Sequence, residues 1–461
     1  MNLAITSSIL AGKLISKLTK LGGNGGTALP GLVSTRLNPK LLSYFSKQIT
    51  KSSVLITGTN GKTTTSRTLG TILATNQMSY VHNRAGSNLL RGITTAFLEK
   101  SNWDGKVNND YGIFEVDEFV LPQALEQIKT KVVVINNLFR DQLDRYGEIE
   151  TVWSRWDKSV RQVDKETFLV LNADDPNVSF LGKNTRAKVL YYGIEDPTQG
   201  STLTPDVLDA QKCRECGTEL DFEVFYASHM GVYQCPKCHL MRPHPHVSAS
   251  NIKISGVDKV SFDLSLGENT ISLSLPLGGI FNIYNILAAV TVAASLGLDL
   301  KAISLGLSKV QPVFGRGEKL QIDNKNLYIA LVKNPSGFNE VLKLLSYEPK
   351  KKHLLIIIND LIADGRDVSW LWDVDFEKLK DTTLNVTLSG LRAADLALRL
   401  KYAHLDSRIV SPVQTNIAEA LRTSLEKLKS GETLYVLPTY TAMLQLRKEL
   451  ESKGLKNFSL D

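Results

Sequence analysis

Thr57-Gly58-Thr59-Asn60-Gly61-Lys62-Thr63-Thr64-Thr65 follows the apolar run Val54-Leu55-Ile56 and leads into Thr63–Thr75, a stretch with helical character. Strand, glycine-rich turn, Lys-Thr and helix, in that order, build a phosphate-binding loop. Backbone N–H groups and the positive end of the helix cradle the phosphates, the lysine neutralises charge, and the hydroxyl beside it ligates Mg²⁺. The pattern predicts that Gly58, Thr59, Asn60, Gly61, Lys62, Thr63 and Thr64 hold ATP, although Gly58 and Gly61 stand closer together than in the usual Walker loop. A solvated turn before a helix is the alternative. It does not explain why Lys62-Thr63 falls where the chemistry needs it.

Outward from the loop, short apolar runs alternate with longer mixed segments. Tyr111–Val116, Val132–Ile135, Thr167–Leu171 and Val189–Tyr192 read as strands, which predicts a mostly parallel sheet with helices on both faces. The first of these ends in acids, Glu115, Asp117 and Glu118. Ligands of open α/β sheets sit beyond the carboxyl ends of the strands, so Glu115 is a candidate to share Mg²⁺ with Thr63; a solvated acidic loop is the alternative. Strand alternation places Glu115 and Asp117 on one face and turns Glu118 away. Residues 260–277 alternate apolar and polar like an antiparallel pair, and Phe281–Leu296 is an alanine-rich helix.

A second α/β rhythm begins near 325. Its strands are Leu327–Val332, Leu354–Ile358, Leu384–Leu388 and Thr433–Val436, and its helices are Gly337–Leu345, Ala393–Leu400 and Thr415–Leu428. The expected organisation is a basic helical segment over 1–45, an α/β ATP-binding domain over 46–315, and a Rossmann-like α/β domain over 316–461.

A chain of 461 residues is too long for one core. With 43% hydrophobic and 22% charged residues it has the composition of a soluble globular protein, and no apolar run reaches the ~18 residues that span a bilayer. Of its net charge of +7, six units come from residues 1–50, where Lys13, Lys17, Lys20, Arg36, Lys40 and Lys47 meet no acid. The first twenty residues read as a basic amphipathic helix, with Leu3, Ile5, Ile9, Leu10, Leu14, Ile15 and Leu18 set against Lys13, Lys17 and Lys20. Such a helix suits contact with an anionic membrane surface, or docking with its lysines merely solvated. No small-residue cleavage site marks it as a signal peptide. Leu21–Thr27 then reads as a glycine-rich break.

The run 200–247 breaks the α/β rhythm and holds all four cysteines. Cys213-x-x-Cys216 and Cys235-x-x-Cys238 form two knuckles 18 residues apart, within an insert at about 205–245. Two such pairs supply four thiolates for a closed, structural Zn²⁺ site and point to a reducing compartment. His239, His244 and His246 are surplus to a Cys₄ set. The insert lacks the dense basic and aromatic interleaving of a nucleic-acid-binding ribbon.

Further segments carry weight only together: Asn136–Gly147 (NNLFRDQLDRYG), Leu171–Pro176 (LNADDP), Phe281–Ala289 (FNIYNILAA) and Gly315–Glu318 (GRGE). In this order, with TGTNGKTTT and the acid-ended strand, they resemble the Mur ligase superfamily over about residues 45–461. That family joins an amine to a carboxylate through an acyl phosphate made from ATP. The resemblance implies that Lys62 and Thr63 hold phosphates and Mg²⁺, that Glu115 holds Mg²⁺, and that Asn282 and Arg316 help hold the nucleotide. Gln142 and Tyr146 stand where several members carry histidines. Leu331-Val332-Lys333-Asn334-Pro335-Ser336-Gly337 replaces their DYAHNP-like motif, and no UDP-binding domain fits into the 45 or so residues before the loop.

These departures resemble one subgroup, the ligase subunits of Gram-positive lipid II isoglutaminyl synthases. The resemblance implies a cytoplasmic ligase at the inner face of the membrane that amidates the α-carboxylate of D-glutamate in lipid II. Ammonia would come from a GatD-type glutamine amidotransferase, since all four cysteines here are better used on zinc than as a glutaminase nucleophile. In that subgroup an Asp of the ligase completes the partner's Cys-His pair. Asp360, Asp364 and Asp367 are the candidates, with Asp367 the match to the last Asp of the ADGxD pattern, Asp364 second, and an acidic turn with Gly365 the alternative. Trp370 and Trp372 are core anchors or interface residues. A folylpolyglutamate-synthetase-like ligase and a non-catalytic ATP- and zinc-binding module are the competing functions.

Overall fold

The computed structural model describes residues 3–21, 28–83, 87–141, 149–205, 208–312 and 315–452. β1, Ser52–Thr57, is buried along its whole length, as a strand covered on both faces must be. It lies inside a nine-stranded sheet built with β2 (Tyr80–His82), β3 (Tyr111–Glu115), β4 (Thr130–Ile135), β5 (Phe168–Asn172), β6 (Lys188–Ile194) and, beyond an excursion, β9 (Val247–Ser255), β10 (Lys259–Leu266) and β11 (Asn269–Leu275). The order is β11-β10-β9-β6-β5-β4-β1-β3-β2. Pairing is parallel from β2 to β9, and β9, β10 and β11 are antiparallel. β1 lies between β3 and β4, so the chain leaves it at a topological switch point, where open sheets bind ligands.

Helices Lys62–Thr75 and Ile280–Ser295 cover one face, sharing an apolar cluster through Leu69, Ile72, Ile283 and Leu287. Helices Leu90–Lys100 and Ile149–Val160 cover the other through Phe97 and Trp156. The N-terminal helices Leu3–Leu21 and Leu41–Ser46 join this second cluster, with Phe45 stacked on Phe97 at 5.5 Å, while Leu29–Leu37 packs beside them through Gly31 and Ser34, which bond Thr95 and Ser8. Lys13 is not merely solvated: its ammonium donates to the carbonyls of Leu98 and Ser101 at 2.7 and 2.5 Å.

Among its described side chains, the first helix does not present its apolar residues as one face. Ile9 is fully buried, whereas Leu10, Leu14 and Leu18 are 39, 55 and 67% exposed. The cause is close packing. A Cβ on Gly12 would stand 2.1 Å from Ser34 Oγ, so the inward face must carry small residues (Ser8, Gly12) beside Ile9, and the leucines are left outside. The glycine-rich break falls mostly in 22–27, outside the described residues.

The excursion between β6 and β9 carries a separate two-stranded sheet, β7 (Asp221–Ala227) with β8 (Met230–Gln234). It is tied to the central sheet by Gly231 N–H to Asp174 O at 2.8 Å and by Tyr233 OH to Ala173 O at 3.2 Å. The C-terminal domain holds a five-stranded sheet: β12 (Arg316–Ile322), β13 (Lys325–Ala330), β14 (Lys352–Ile357), β15 (Thr383–Ser389) and β16 (Thr433–Pro438), in the order β12-β13-β16-β14-β15. All pairs but the β12–β13 hairpin are parallel.

Candidate active site

Gly58 and Gly61 have φ of +128° and +87°, a backbone that side chains resist. A Cβ on Gly61 would stand 2.0 Å from Asn285 Oδ1, so the loop is a cradle that only glycine leaves open. Lys62, the first residue of the helix, turns back over it and donates to Gly58 O at 2.5 Å and to Glu118 Oε1 at 2.7 Å. Burial works against that ammonium, but Glu118, with Asp117 and Asp141 behind it, outweighs burial and holds the lysine pKa above its ordinary value.

Glu118 therefore faces the site, not away from it. β3 ends at Glu115, and beyond a strand end alternation no longer governs direction. Asp117 instead serves its own turn, accepting the Phe119 N–H at 3.1 Å. Glu115 accepts from Thr63 Oγ1 and Ser66 Oγ, each at 2.9 Å, with His82 Nε2 at 3.7 Å. Burial opposes its charge, yet the nearby His82 ring and the bonds from Thr63 and Ser66 hold the carboxyl below its usual range. A buried carboxylate kept ionised beside the hydroxyl that follows the loop lysine is a donor set that fits Mg²⁺.

The C-terminal domain completes the site. Lys333 on the β13–helix loop donates to Thr59 O at 3.1 Å and pairs with Asp141 at 2.7 Å. Asn334 caps the helix Pro335–Ser346 and donates to Asn60 Oδ1 at 3.2 Å. Between the domains lies a cleft lined by Asn60, Gly61, Tyr284, Asn285, Tyr328 and Lys333. It continues, past Ser336 and Glu340, into a groove of about 540 Å³ that also receives Arg140, Lys343 and Lys378.

Asn282 stands near this cleft but donates to Gly278 O at 2.7 Å; Asn285, one helical turn on, is the asparagine facing the loop. Arg316 opens β12, and its side chain lies outside the described residues, as do Gln142 and Tyr146. Sequence reasoning missed Ser66, His82, Glu118, Asp141, Asn285 and Lys333. Glu118, Asp141, Asn285 and Lys333 carried a signal, as polar or charged residues inside motifs already singled out, whereas Ser66 and His82 carried none.

The four cysteine sulfurs lie within 4.8 Å of one another, with the Cys213–Cys238 and Cys216–Cys235 pairs at 3.5 Å. Thiolates around Zn²⁺ sit about 3.8 Å apart, whereas a disulfide needs about 2.05 Å, so the set fits the metal. Gly217 and His239 occupy the left-handed positions that close the two knuckles, and His239, His244 and His246 are exposed.

Of the three acids in the C-terminal segment, Asp360 is bound to Arg392 at 2.8 Å. Asp364 is buried and accepts from Thr441 N and Oγ1 at 2.7 and 2.5 Å. Asp367 is half-buried, with Oδ1 on the Ser369 N–H at 2.8 Å. Trp370 packs on Phe338, whereas Trp372 is 50% exposed beside Tyr402.

Residues 56–232 match the Mur ligase middle domain and residues 331–443 match the MurT ligase C-terminal domain. The fold and site thus define an ATP-dependent ligase of the Mur type. A solved pseudomurein peptide ligase type C from Methanothermus fervidus superposes with a TM-score of 0.65 at 24% identity, over 88% of this chain and 79% of its own. The lipid II isoglutaminyl synthase (glutamine-hydrolyzing) subunit MurT of Staphylococcus aureus (strain COL) is 33% identical over 96% of this chain and 97% of its own. The same subunit of Streptococcus pneumoniae (strain ATCC BAA-255 / R6) is 32% identical over 99% of both. The chain belongs to the MurT family.

Proposed function

We propose that the chain is the ligase subunit of a lipid II isoglutaminyl synthase, converting the α-carboxylate of D-glutamate in the lipid II stem peptide to the amide. The observation that carries this reading is the convergence of Lys62, Thr63 and Glu115 with Lys333 of the C-terminal domain around one phosphate cradle. A carboxylate is a poor electrophile. Transfer of the γ-phosphoryl group of ATP to its oxygen releases ADP and makes phosphate the leaving group. Ammonia then attacks the carbonyl carbon, the C–O bond to phosphate breaks, and the amide forms with loss of a proton. Mg²⁺ held by Thr63 and Glu115 would neutralise the phosphates. Lys62 and Lys333 reach the loop from opposite domains, and closure of the cleft excludes the water that would hydrolyse the acyl phosphate. The four cysteines hold a structural Zn²⁺.

Ammonia is mostly protonated at pH 7, which favours local delivery by a GatD-type amidotransferase. Leu361 and Ile362, 44 and 78% exposed beside the three acids, give that partner an apolar landing. Asp367 is the acid offered to the partner's histidine, because Asp360 and Asp364 are held by Arg392 and Thr441. Since the substrate is a lipid, the enzyme works in the cytoplasm at the inner face of the membrane.

The test is an amidation assay on lipid II with ATP and Mg²⁺. Ammonium should support the chain alone, and glutamine should work only with the partner and with Asp367 intact. If Asp367→Asn leaves glutamine use unchanged, the shared acid is another residue. If no nitrogen source yields amide while ATP binds, the lipid II reading fails and a folate-type ligase or a non-catalytic module replaces it.

A further inference from the structure

Leu10, Leu14 and Leu18 recur every four residues, so they form one stripe along the outer side of the first helix, and exposure rises along it from 39 through 55 to 67%. Core packing does not account for them, because the inner side is already filled by Ser8, Ile9 and Gly12. Along one edge of the stripe runs Lys17. Its ammonium and that of Lys13 lie 4.8 and 5.5 Å from the ring centre of Trp103, itself 48% exposed. The nearby acid Asp104 is paired with Lys106 at 3.6 Å. Residues 1–50 hold six cations and no acid.

We infer that this face is the seat of an anionic lipid surface: the helix lies flat, the leucines enter the acyl boundary, and Trp103 and the lysines sit at headgroup depth. An apolar stripe with Lys17 at its edge and a half-exposed tryptophan against that lysine suits the hydrocarbon and interfacial layers of an anionic bilayer. Among the described residues no helix is long and apolar enough to cross a membrane, so this contact is peripheral. The inference rests on the lipid II reading only for its purpose, which is to bring the cleft to a membrane-held substrate.

The test uses the full chain with vesicles of phosphatidylcholine and of phosphatidylcholine mixed with phosphatidylglycerol. The wild type should pellet with the anionic vesicles and be released by high salt. Leu10→Ser/Leu14→Ser/Leu18→Ser should bind roughly tenfold less while melting normally, since the replaced side chains are exposed. Lys17→Glu, a second variant that leaves the leucines in place, should also weaken binding. Tryptophan emission should shift to the blue on anionic vesicles, and Trp103→Phe should abolish the shift. A wild type that stays in the supernatant, or binds no better than the serine variant, overturns the inference. So does a wild-type dimer that the serine variant dissolves without any vesicle binding, which would make the stripe a contact between copies. Amidation of a soluble short-chain lipid II analogue with ammonium reports on the ligase reading separately: the serine variant should retain it, and its absence in the wild type would sink that reading while leaving the vesicle result intact.

Discussion

A buried ammonium needs a counter-charge before the nucleotide arrives, and Glu118 supplies it to Lys62 at 2.7 Å, with side chains only 8 and 11% exposed. Burial opposes the charge on Glu118, and Lys62 and Lys333 together hold its carboxyl below the usual range. Glu118→Gln would leave the lysine charged and poorly paired, which costs about 3 kcal/mol of stability in the nucleotide-free enzyme. A bound phosphate restores the missing charge, so Mg-ADP should raise the melting temperature of the variant more than that of the wild type. Equal shifts would mean that Glu118 is not the stand-in for phosphate. Lys62, Thr63 and Glu115 were legible in the sequence because phosphate chemistry demands those residue types at short, fixed spacings. Glu118 was misread because a strand rule was carried past the strand's end. Lys333 and Asp141 were not legible as a pair at all: they are 192 residues apart, and only the folded chain brings them to 2.7 Å.

At the scale of elements, hydrophobic period did most of the work. Strands buried on both faces, such as β1 and β14, are continuous apolar runs, and the sequence placed them within a residue or two. Helix Leu90–Lys100 escaped notice because its inward face is built from Gly92, Thr94 and Thr95 as well as Ile93 and Phe97, which blurs the apolar period. The first helix was legible as a helix but not in its facing, since small residues rather than leucines meet the neighbouring helix. The cysteine end of the excursion has little apolar burial of its own, whereas Val224, Tyr226 and Met230 at its other end join the cluster of the central sheet. The cluster at the cysteine end is little more than Leu220, Phe222, Tyr233, Leu240 and the cysteines. The metal should therefore supply much of its order. The purified chain should carry about one zinc per molecule, and Cys216→Ser/Cys235→Ser should carry none. The variant, or the wild type under chelation, should become open to limited proteolysis within 205–245 while the central sheet resists. A zinc-free chain with the same protease resistance would show that the knuckles stand without metal.

For the molecule as a whole, the phosphate loop belongs to one domain and part of its equipment to the other. At the phosphate loop the described contacts between the domains are polar, Lys333 to Thr59 and Asp141 and Asn334 to Asn60, whereas away from it Val257 packs into the C-terminal apolar cluster and is bonded to Tyr328 and Glu348. Polar contacts at the loop itself let Lys333 and Asn334 engage and leave the cradle without exposing apolar surface there, while the packing around Val257 keeps the domains joined. They also divide labour between binding and chemistry. The glycine cradle, Lys62 and Thr63 come from the central domain alone and, on the proposed reading, would hold the nucleotide without the other domain. Lys333 acts only when the domains are together. Lys333→Ala should therefore lower the rate of ammonium-dependent amidation by about 10²-fold, because a misplaced domain loses alignment of the reacting groups. Nucleotide affinity, read by calorimetry, should change much less than the rate. Lys333→Arg, which keeps the charge and the reach, should recover part of the rate. If Lys333→Ala weakens ATP binding and turnover by the same factor, the lysine belongs to the binding cradle and domain closure is set elsewhere. If it changes neither, its bond to Thr59 is packing alone, and the acyl phosphate is stabilised from the central domain.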